Sequence, residues 1–435
     1  MDLAEVRLWG RTIGAVSQDA DARHATFQYE PAFAESGIEV APLTMPLTRR
    51  PYAFPELGRT SFNGLPGLLA DSLPDKFGNA VIDAWLARQG RTPESFRPVE
   101  RLCYVGTRGT GALEFAPSTG PRPTTGRRLA VDALVDLASS ILTRRARLSV
   151  SLEAGEEEEA LSDLLRVGTS AGGARAKALV AWHPETNEVR SGQIETGSGF
   201  EHWILKFDGV EGNVDRDLGV THGYGAVEHA YALMAREAGI VMPDTRLYDE
   251  GGRRHFMTRR FDRTPDGKKL HMLSLAALAH LDYNAAGAHG YEQALLAIRE
   301  LGLPMDAVEE QFRRMVFNVL ARNQDDHVKN IAFLMDKRGR WSLSPAFDLT
   351  YAYNPAGDWT ASHQMTVNGK RDGFALADFE AVARGASMKR GRAATIHEEV
   401  RAAVVRWREL AEAAGVGEER TERIGATHRL ELPVG

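Results

Sequence analysis

Three residues near position 330 have the types and the spacing of a phosphoryl-transfer site. In residues 321–350, ARNQDDHVKNIAFLMDKRGRWSLSPAFDLT, Asp325 and Asn330 stand five positions apart, and Asp348 closes the segment within Phe347-Asp348-Leu349. Transfer of a γ-phosphoryl group needs a carboxylate to accept or orient a hydroxyl proton, and hard oxygen ligands to hold Mg²⁺ against the phosphates. The five-residue separation is that of the catalytic Asp and the metal-binding Asn of kinase catalytic loops, and it selects Asp325 over Asp326 as the base. An apolar strand from Ile331 to Met335, a turn at Asp336-Lys337-Arg338-Gly339 and a second strand around Trp341 to Leu343 read as the hairpin between them. Taken singly, each acidic residue is more often a turn or helix cap. In this order, the set favours chemistry.

Such a site requires groups upstream that hold the nucleotide. Residues 167–180, VGTSAGGARAKALV, set Gly168, Gly172 and Gly173 before an apolar strand, a composition that lets backbone N–H groups approach phosphates. No Gly-Lys-Ser/Thr follows the glycines, and Lys177 is succeeded by Ala178, so this is not a Walker A loop. An ordinary hairpin turn has the same composition. Trp203-Ile204-Leu205-Lys206-Phe207 reads as a strand carrying a Lys among apolar residues, where a charge without a partner is costly. Lys206 is expected to meet a phosphate or a carboxylate, the alternative being a side chain that snorkels from a strand edge. From Ala226 to Ala238, apolar residues recur at helical spacing. Glu228 near its start is placed to pair with Lys206 as in the kinase Lys–Glu ion pair, although a glutamate in a first helical turn is favourable in any case.

With these residues in view, the chain resembles the HipA family, the kinase toxins of bacterial HipBA toxin–antitoxin modules, nearly from end to end. Phe62-Asn63-Gly64-Leu65-Pro66-Gly67 and Leu73-Pro74-Asp75 resemble the family's N-terminal signature, SAGGARAKALV its glycine-rich loop, and DDHVKN with PAFDL its catalytic and metal-binding core. The resemblance implies a two-lobed protein-kinase-like fold, α+β, with a mixed α/β N-terminal lobe bearing a HipA N-terminal subdomain and a mainly helical C-terminal lobe. It implies Asp325 as catalytic base, Asn330 and Asp348 as Mg²⁺ ligands and Lys206 as the lysine on the ATP phosphates. Ser170, Gly172, Gly173, Lys177, His327 and Lys329 would complete the ATP site. Met257 to Arg263, with Arg259 and Phe261, resembles the stretch joining the lobes, where backbone groups hold adenine; the best-known pattern has a glutamate where Arg259 stands. Family members inactivate themselves by phosphorylating a serine in the glycine-rich loop, and Ser170 aligns with it, with Thr169 and Ser151 as rival sites. A phosphate there would repel those of ATP. The implied partners are a HipB-like helix-turn-helix antitoxin, operator DNA mainly through that antitoxin, and a protein substrate such as an aminoacyl-tRNA synthetase.

Composition is compatible with this reading and narrows it. The 435 residues are 43% apolar and 26% charged with a net charge of −6, ordinary globular material without a global basic field. The single cysteine, Cys103, excludes a disulfide framework and a Cys-based zinc site, and a reducing cytoplasm is expected. The N-terminus lacks the positive and apolar regions of a signal peptide, and no apolar run is long enough for a membrane span. The sequence divides into residues 1–115, a Pro/Gly/Thr-rich linker at 116–128, a mixed α/β lobe at 129–256, and a mainly helical part at 257–435 apart from the catalytic hairpin. Helices are expected at about Asp75 to Arg88, Gln293 to Leu301, Ala307 to Ala321 and Ile396 to Ala414, with strands near Val6 to Trp9 and Ala25 to Tyr29. Glu156 to Glu159 reads as a solvated helix start, and the basic clusters at 144–147 and 388–392 as solvated faces, the second being the better candidate for phosphate contact. Two other functions stay open: a small-molecule or lipid phosphotransferase with the same core, and a non-enzymatic co-repressor that bridges antitoxin and DNA.

Overall fold

The computed structural model describes residues 2–121, 128–143, 161, 163–165, 167–168, 175–193, 199–211 and 222–435. The readings at Ser151, Glu156 to Glu159, Thr169, Ser170, Gly172, Gly173 and the 144–147 cluster lie outside them. Among the described residues no helix is long and apolar enough to cross a membrane.

The chain opens with a four-stranded antiparallel sheet made of β1 (Asp2–Leu8), β2 (Arg11–Gln18), β3 (Thr26–Tyr29) and β4 (Leu113–Ala116), in the order β3-β2-β1-β4. Alternation in β1 buries Ala4, Val6 and Leu8 on one face. Trp9 and Gly10 both take positive φ (51° and 80°), making the tight left-handed turn into β2. Between β3 and β4 lie α1 (Lys76–Arg88) and α2 (Pro98–Val105). Asp75 caps α1, its carboxylate accepting from the Gly78 N–H at 2.6 Å.

After α3 (Val131–Thr143) comes a five-stranded antiparallel sheet of β5 (Lys177–His183), β6 (Glu188–Ser191), β7 (Glu201–Lys206), β8 (Thr245–Glu250) and β9 (Arg253–Arg259), in the order β6-β5-β7-β9-β8. The helix α4 (Tyr224–Glu237) leads from β7 to β8 and packs on β9. A side chain at Gly225 would place its Cβ 2.5 Å from the Arg254 carbonyl, so the helix lies directly on the strand. This lobe has its own core, in which α1 residues Phe77 and Val81 join Leu134, Val180, Trp182, Leu205 and Met257.

The remaining chain is mainly helical: α5 (Tyr291–Glu300), α6 (Met305–Leu320), α7 (Leu376–Gly385), α8 (Arg392–Val405), α9 (Trp407–Ala413) and α10 (Glu418–Gly425). The expected catalytic hairpin is present as β11 (Ala332–Met335) and β12 (Trp341–Leu343), and β10 (His271–Ser274), too short to stand out by periodicity, pairs with β11 to make a third strand. The helix expected over Ile396 to Ala414 is two helices that break at Arg406. The break turns Trp407 inward, its ring 5.2 Å from that of Tyr231 and its Nε1 donating to the Thr421 carbonyl at 2.9 Å. The apolar residues of this part and those of the first sheet form one continuous core. That core places the first sheet firmly against the helical lobe.

Candidate active site

β7 delivers Lys206 to the sheet face turned toward α4. Its Nζ lies 2.5 Å from Glu228 Oε1 of α4 and also contacts Asp348 Oδ1. Both placements have local causes. Asp208, just past β7, accepts from the N–H groups of Gly223 and Tyr224 and so anchors the start of α4, one turn before Glu228. Asp348 stands in the left-handed region (φ 53°) after the catalytic hairpin, a conformation unusual for a non-glycine residue and frequent at functional sites. The arrangement answers the question left by the apolar strand: the Lys206 charge meets two carboxylates. Burial disfavours the Lys206 ammonium, but Asp348 and Glu228 outweigh it and raise its pKa. Burial likewise works against the Asp348 carboxylate, and Lys206 more than offsets this, holding it ionised well below the usual range.

Lys177 and Lys206 face each other across the β5–β7 register. Lys177 is buried, with Nζ 3.5 Å from Asp75 Oδ2, the cap of α1. Desolvation lowers the Lys177 ammonium, and desolvation raises Asp75 to about 6 despite the opposing pull of Lys177 and the Gly78 N–H. Asp75 reads in the sequence as the start of a helix and as part of the Leu-Pro-Asp signature; its pairing with Lys177 has no signal in spacing.

The catalytic segment is held by its own atoms. Asn330 Nδ2 donates to the Asp325 carbonyl at 3.0 Å, and a single 3₁₀ turn over Val328–Asn330 closes the loop. The side chain of Asp325 is 43% exposed, receives a hydrogen bond from Trp359 Nε1 at 2.7 Å and lies 3.9 Å from His327 Nε2. Its neighbour is in the opposite situation. Asp326 is buried and accepts from the Tyr291 hydroxyl, His363 Nδ1 and the Gln364 N–H, each at 2.8 Å. One carboxylate of the Asp-Asp pair is open to a reactant; the other is locked into the core.

A cleft is lined by His327, Asn330, Phe347 and Asp348 together. Its donor set fits a hard cation. Asn330 commits its amine end to the loop, which leaves its amide oxygen as the acceptor of that side chain, and the ionised Asp348 carboxylate lines the same cleft. Among the described residues no group of three His, Cys, Asp or Glu side chains could hold a metal by itself.

Lys329 Nζ stands 4.8 Å from the Tyr283 ring centroid, and the His327 ring is 6.0 Å from the same ring. Phe261 packs against Phe347, the residue before Asp348, with ring centroids 5.6 Å apart. Arg259, at the end of β9, points its guanidinium at Glu201 (3.4 Å) and Asp244 (3.3 Å). In the basic segment before α8, Lys389 and Arg390 are exposed, but Arg392 is engaged by Glu309 at 2.7 Å.

An antiparallel five-stranded lobe with a helix-borne Glu on a strand Lys, together with a helical lobe that carries the β11–β12 hairpin, is a two-lobed protein-kinase-like fold. Residues 169–408 match the family model of the HipA-like C-terminal domain, and residues 4–116 that of the HipA N-terminal domain. The chain belongs to the HipA family. It is 32% identical over 143 residues to a protein named putative kinase Y4dM of Sinorhizobium fredii, covering 29% of this chain and 34% of that one. It is 28% identical over 134 residues to a putative kinase of Haemophilus influenzae, covering 28% and 39%. The matched stretches thus span little more than a third of these relatives. The fold extends much further: HipA from the Shewanella oneidensis MR-1 complex of HipA, HipB and operator DNA superposes with a TM-score of 0.66 at 16% identity, over 97% of this chain and 94% of that one.

Proposed function

We propose that this protein is an ATP- and Mg²⁺-dependent serine/threonine protein kinase, the toxin of a HipBA-type module. The observation that carries the reading is Lys206, whose ammonium bridges Glu228 and Asp348. A lysine held in this way is ready for nucleotide phosphates beside a carboxylate suited to Mg²⁺. In this reading Asp325 takes or orients the proton of the acceptor hydroxyl, with His327 and Trp359 fixing its carboxylate. Asn330 and Asp348 would hold Mg²⁺, which would supply charge neutralisation at the transferring phosphoryl group. Lys206 and Lys177 face the phosphates, Phe261 lies on the nucleotide side, and Ser170 is the site of self-inactivation. The complex of HipA, HipB and operator DNA formed by the Shewanella relative supports a HipB-like antitoxin, with operator DNA reached mainly through it, as partners; a translation-related protein substrate and a cytoplasmic setting belong to the same reading.

Intact-mass spectrometry with Mg²⁺ and ATP tests the reading on the wild type, Asp325→Asn and Ser170→Ala. The expected result is a gain of one phosphate by the wild type and by neither variant. A wild type that binds ATP, begins unphosphorylated and gains nothing would remove self-phosphorylation. Phosphate transfer in lysate to small molecules or lipids alone would favour the small-molecule phosphotransferase instead.

A further inference from the structure

The C-terminal family match ends at residue 408, yet the chain beyond it returns to the catalytic loop. Arg322, two residues before the loop, donates through Nε to the Thr427 carbonyl at 2.7 Å. The Arg429 N–H donates to the Leu320 carbonyl at 2.9 Å. The Arg429 guanidinium pairs with Asp372, reaches the Val319 carbonyl at 3.4 Å and meets His363 Nε2 at 2.9 Å. His363 is fully buried, and its other ring nitrogen lies 2.8 Å from Asp326.

This chain of contacts has only one consistent set of protons. A guanidinium can donate but has no lone pair to accept with, so His363 Nε2 must be the acceptor and carries no proton. Nδ1 therefore holds the ring proton and donates it to Asp326. The same Asp326 oxygen accepts from Tyr291, and the other accepts from the Gln364 N–H. With both oxygens engaged, Asp326 cannot rotate, and the peptide it shares with Asp325 is fixed. We propose that Arg429 is a positioning residue of the catalytic loop, acting through the tautomer of His363 and the carboxylate of Asp326 to set the direction of Asp325. This deepens the kinase reading above and rests on it. Arg429 touches no expected substrate or nucleotide group, so its effect belongs in the turnover step and not in ATP affinity.

The test compares Arg429→Met with Arg429→Gln. Methionine removes every donor to His363, whereas glutamine can still offer an N–H to Nε2. For Arg429→Met, kcat of phosphotransfer should fall about 100-fold, the effect expected of a small misplacement of a catalytic group, with KM for ATP unchanged. Arg429→Gln should recover a large part of the loss. Histidine ring ¹⁵N NMR supplies a readout independent of activity. The groups facing His363 are Asp326, Tyr291 and Arg429, with Arg371 Nε on its carbonyl at 2.6 Å and Asp372 behind Arg429. In the wild type His363 should show the Nδ1–H tautomer that its two partners impose. In Arg429→Met, Nε2 loses its donor and its ¹⁵N resonance should move away from the wild-type position. Equal kcat for methionine and glutamine variants, or a His363 signal that ignores the methionine substitution, would overturn the proposal. If the wild type transfers no phosphate while the His363 signal responds as expected, the kinase reading fails and the relay stands.

Discussion

Replacing Lys206 by Met isolates the electrostatics of the site. The lysine sits between Glu228, 4% exposed, and Asp348, 25% exposed, and the substitution leaves both carboxylates without their shared cation. The pKa of Asp348 lies at about 2 instead of its ordinary 3.8, because Lys206 and then Lys177 outweigh the burial that would raise it. At about 1.4 kcal/mol for each tenfold change in the proton equilibrium, that difference is a preference for the ionised form on the order of 2 kcal/mol. Breaking a buried pair from one side costs about 3–5 kcal/mol, and the partial hydration of Asp348 places this site near the lower end, about 3 kcal/mol at pH 7. The pH dependence has a definite sign. The depressed Asp348 contributes stability that is complete above 3.8 and lost as pH falls through about 2, while the raised Lys206 contributes below its ordinary 10.5 and loses it above. In the wild type the pair is therefore at full strength between pH 4 and 10. In Lys206→Met burial acts on Asp348 with less opposition, its pKa rises, and protonation relieves the variant as pH drops toward 4. Urea unfolding at pH 7, 5.5 and 4 should show a deficit that shrinks with pH. A deficit under about 1 kcal/mol at pH 7, or one independent of pH, would refute the placement of Lys206 as the cation of both carboxylates.

Three further outcomes follow from the surrounding contacts. Asp326→Ala removes the acceptor of three buried donors and should destabilise the fold by about 3 kcal/mol or more in chemical unfolding, in contrast to the exposed Asp325→Asn, for which the change should stay under about 1 kcal/mol. Burial raises Asp75 to about 6, so the folded state takes up a proton between pH 4 and 6 and this carboxyl's contribution declines as pH climbs through that interval; Asp75→Asn should flatten that limb of the stability–pH curve, and an unchanged limb would show that another group titrates there. A Cβ at Gly67 would stand 2.5 Å from the Ala277 carbonyl and 2.6 Å from His280 Cδ2, so Gly67→Ala should lower the melting temperature through a loss of about 1–3 kcal/mol, whereas Gly385→Ala, with open space around it, should leave it unchanged or slightly raised.

The elements that carry the site were legible because each has a strong local signal. The apolar run around Lys206 in Trp203 to Phe207, the 3.6-residue period downstream of Ala226 and the apolar run before the Asp336-Gly339 turn all appear as the expected strand, helix and hairpin. The Lys206–Glu228 contact was foreseeable because an apolar strand requires a partner for its charge. What stayed hidden depends on distant pairing. Asp325 and Asp326 are the same residue type at adjacent positions, and only the arrival of Tyr291, His363 and Gln364 from other segments separates their environments. Asp75 carries a cap signal that is local and an ion pair with Lys177 that is not. The break at Arg406 is likewise set by where Trp407 finds its pocket, beside Tyr231, rather than by any breaker residue in the helix.

The shared core of the first sheet and the helical lobe has a consequence for synthesis. Val40 offers its carbonyl to His271 Nε2 at 2.9 Å, Trp9 Nε1 donates to the Lys269 carbonyl at 2.8 Å, and Trp341 Nε1 donates to the Glu39 carbonyl at 3.1 Å. Residues within the first 40 thus close against partners some 230 to 300 positions further along the chain. At about 5–20 residues per second on the ribosome, the N-terminal segment waits on the order of 15–60 s for these partners. A fragment released before residue 341 would leave Trp9, Glu39 and Val40 without one or more of these partners and part of the first sheet's core uncovered.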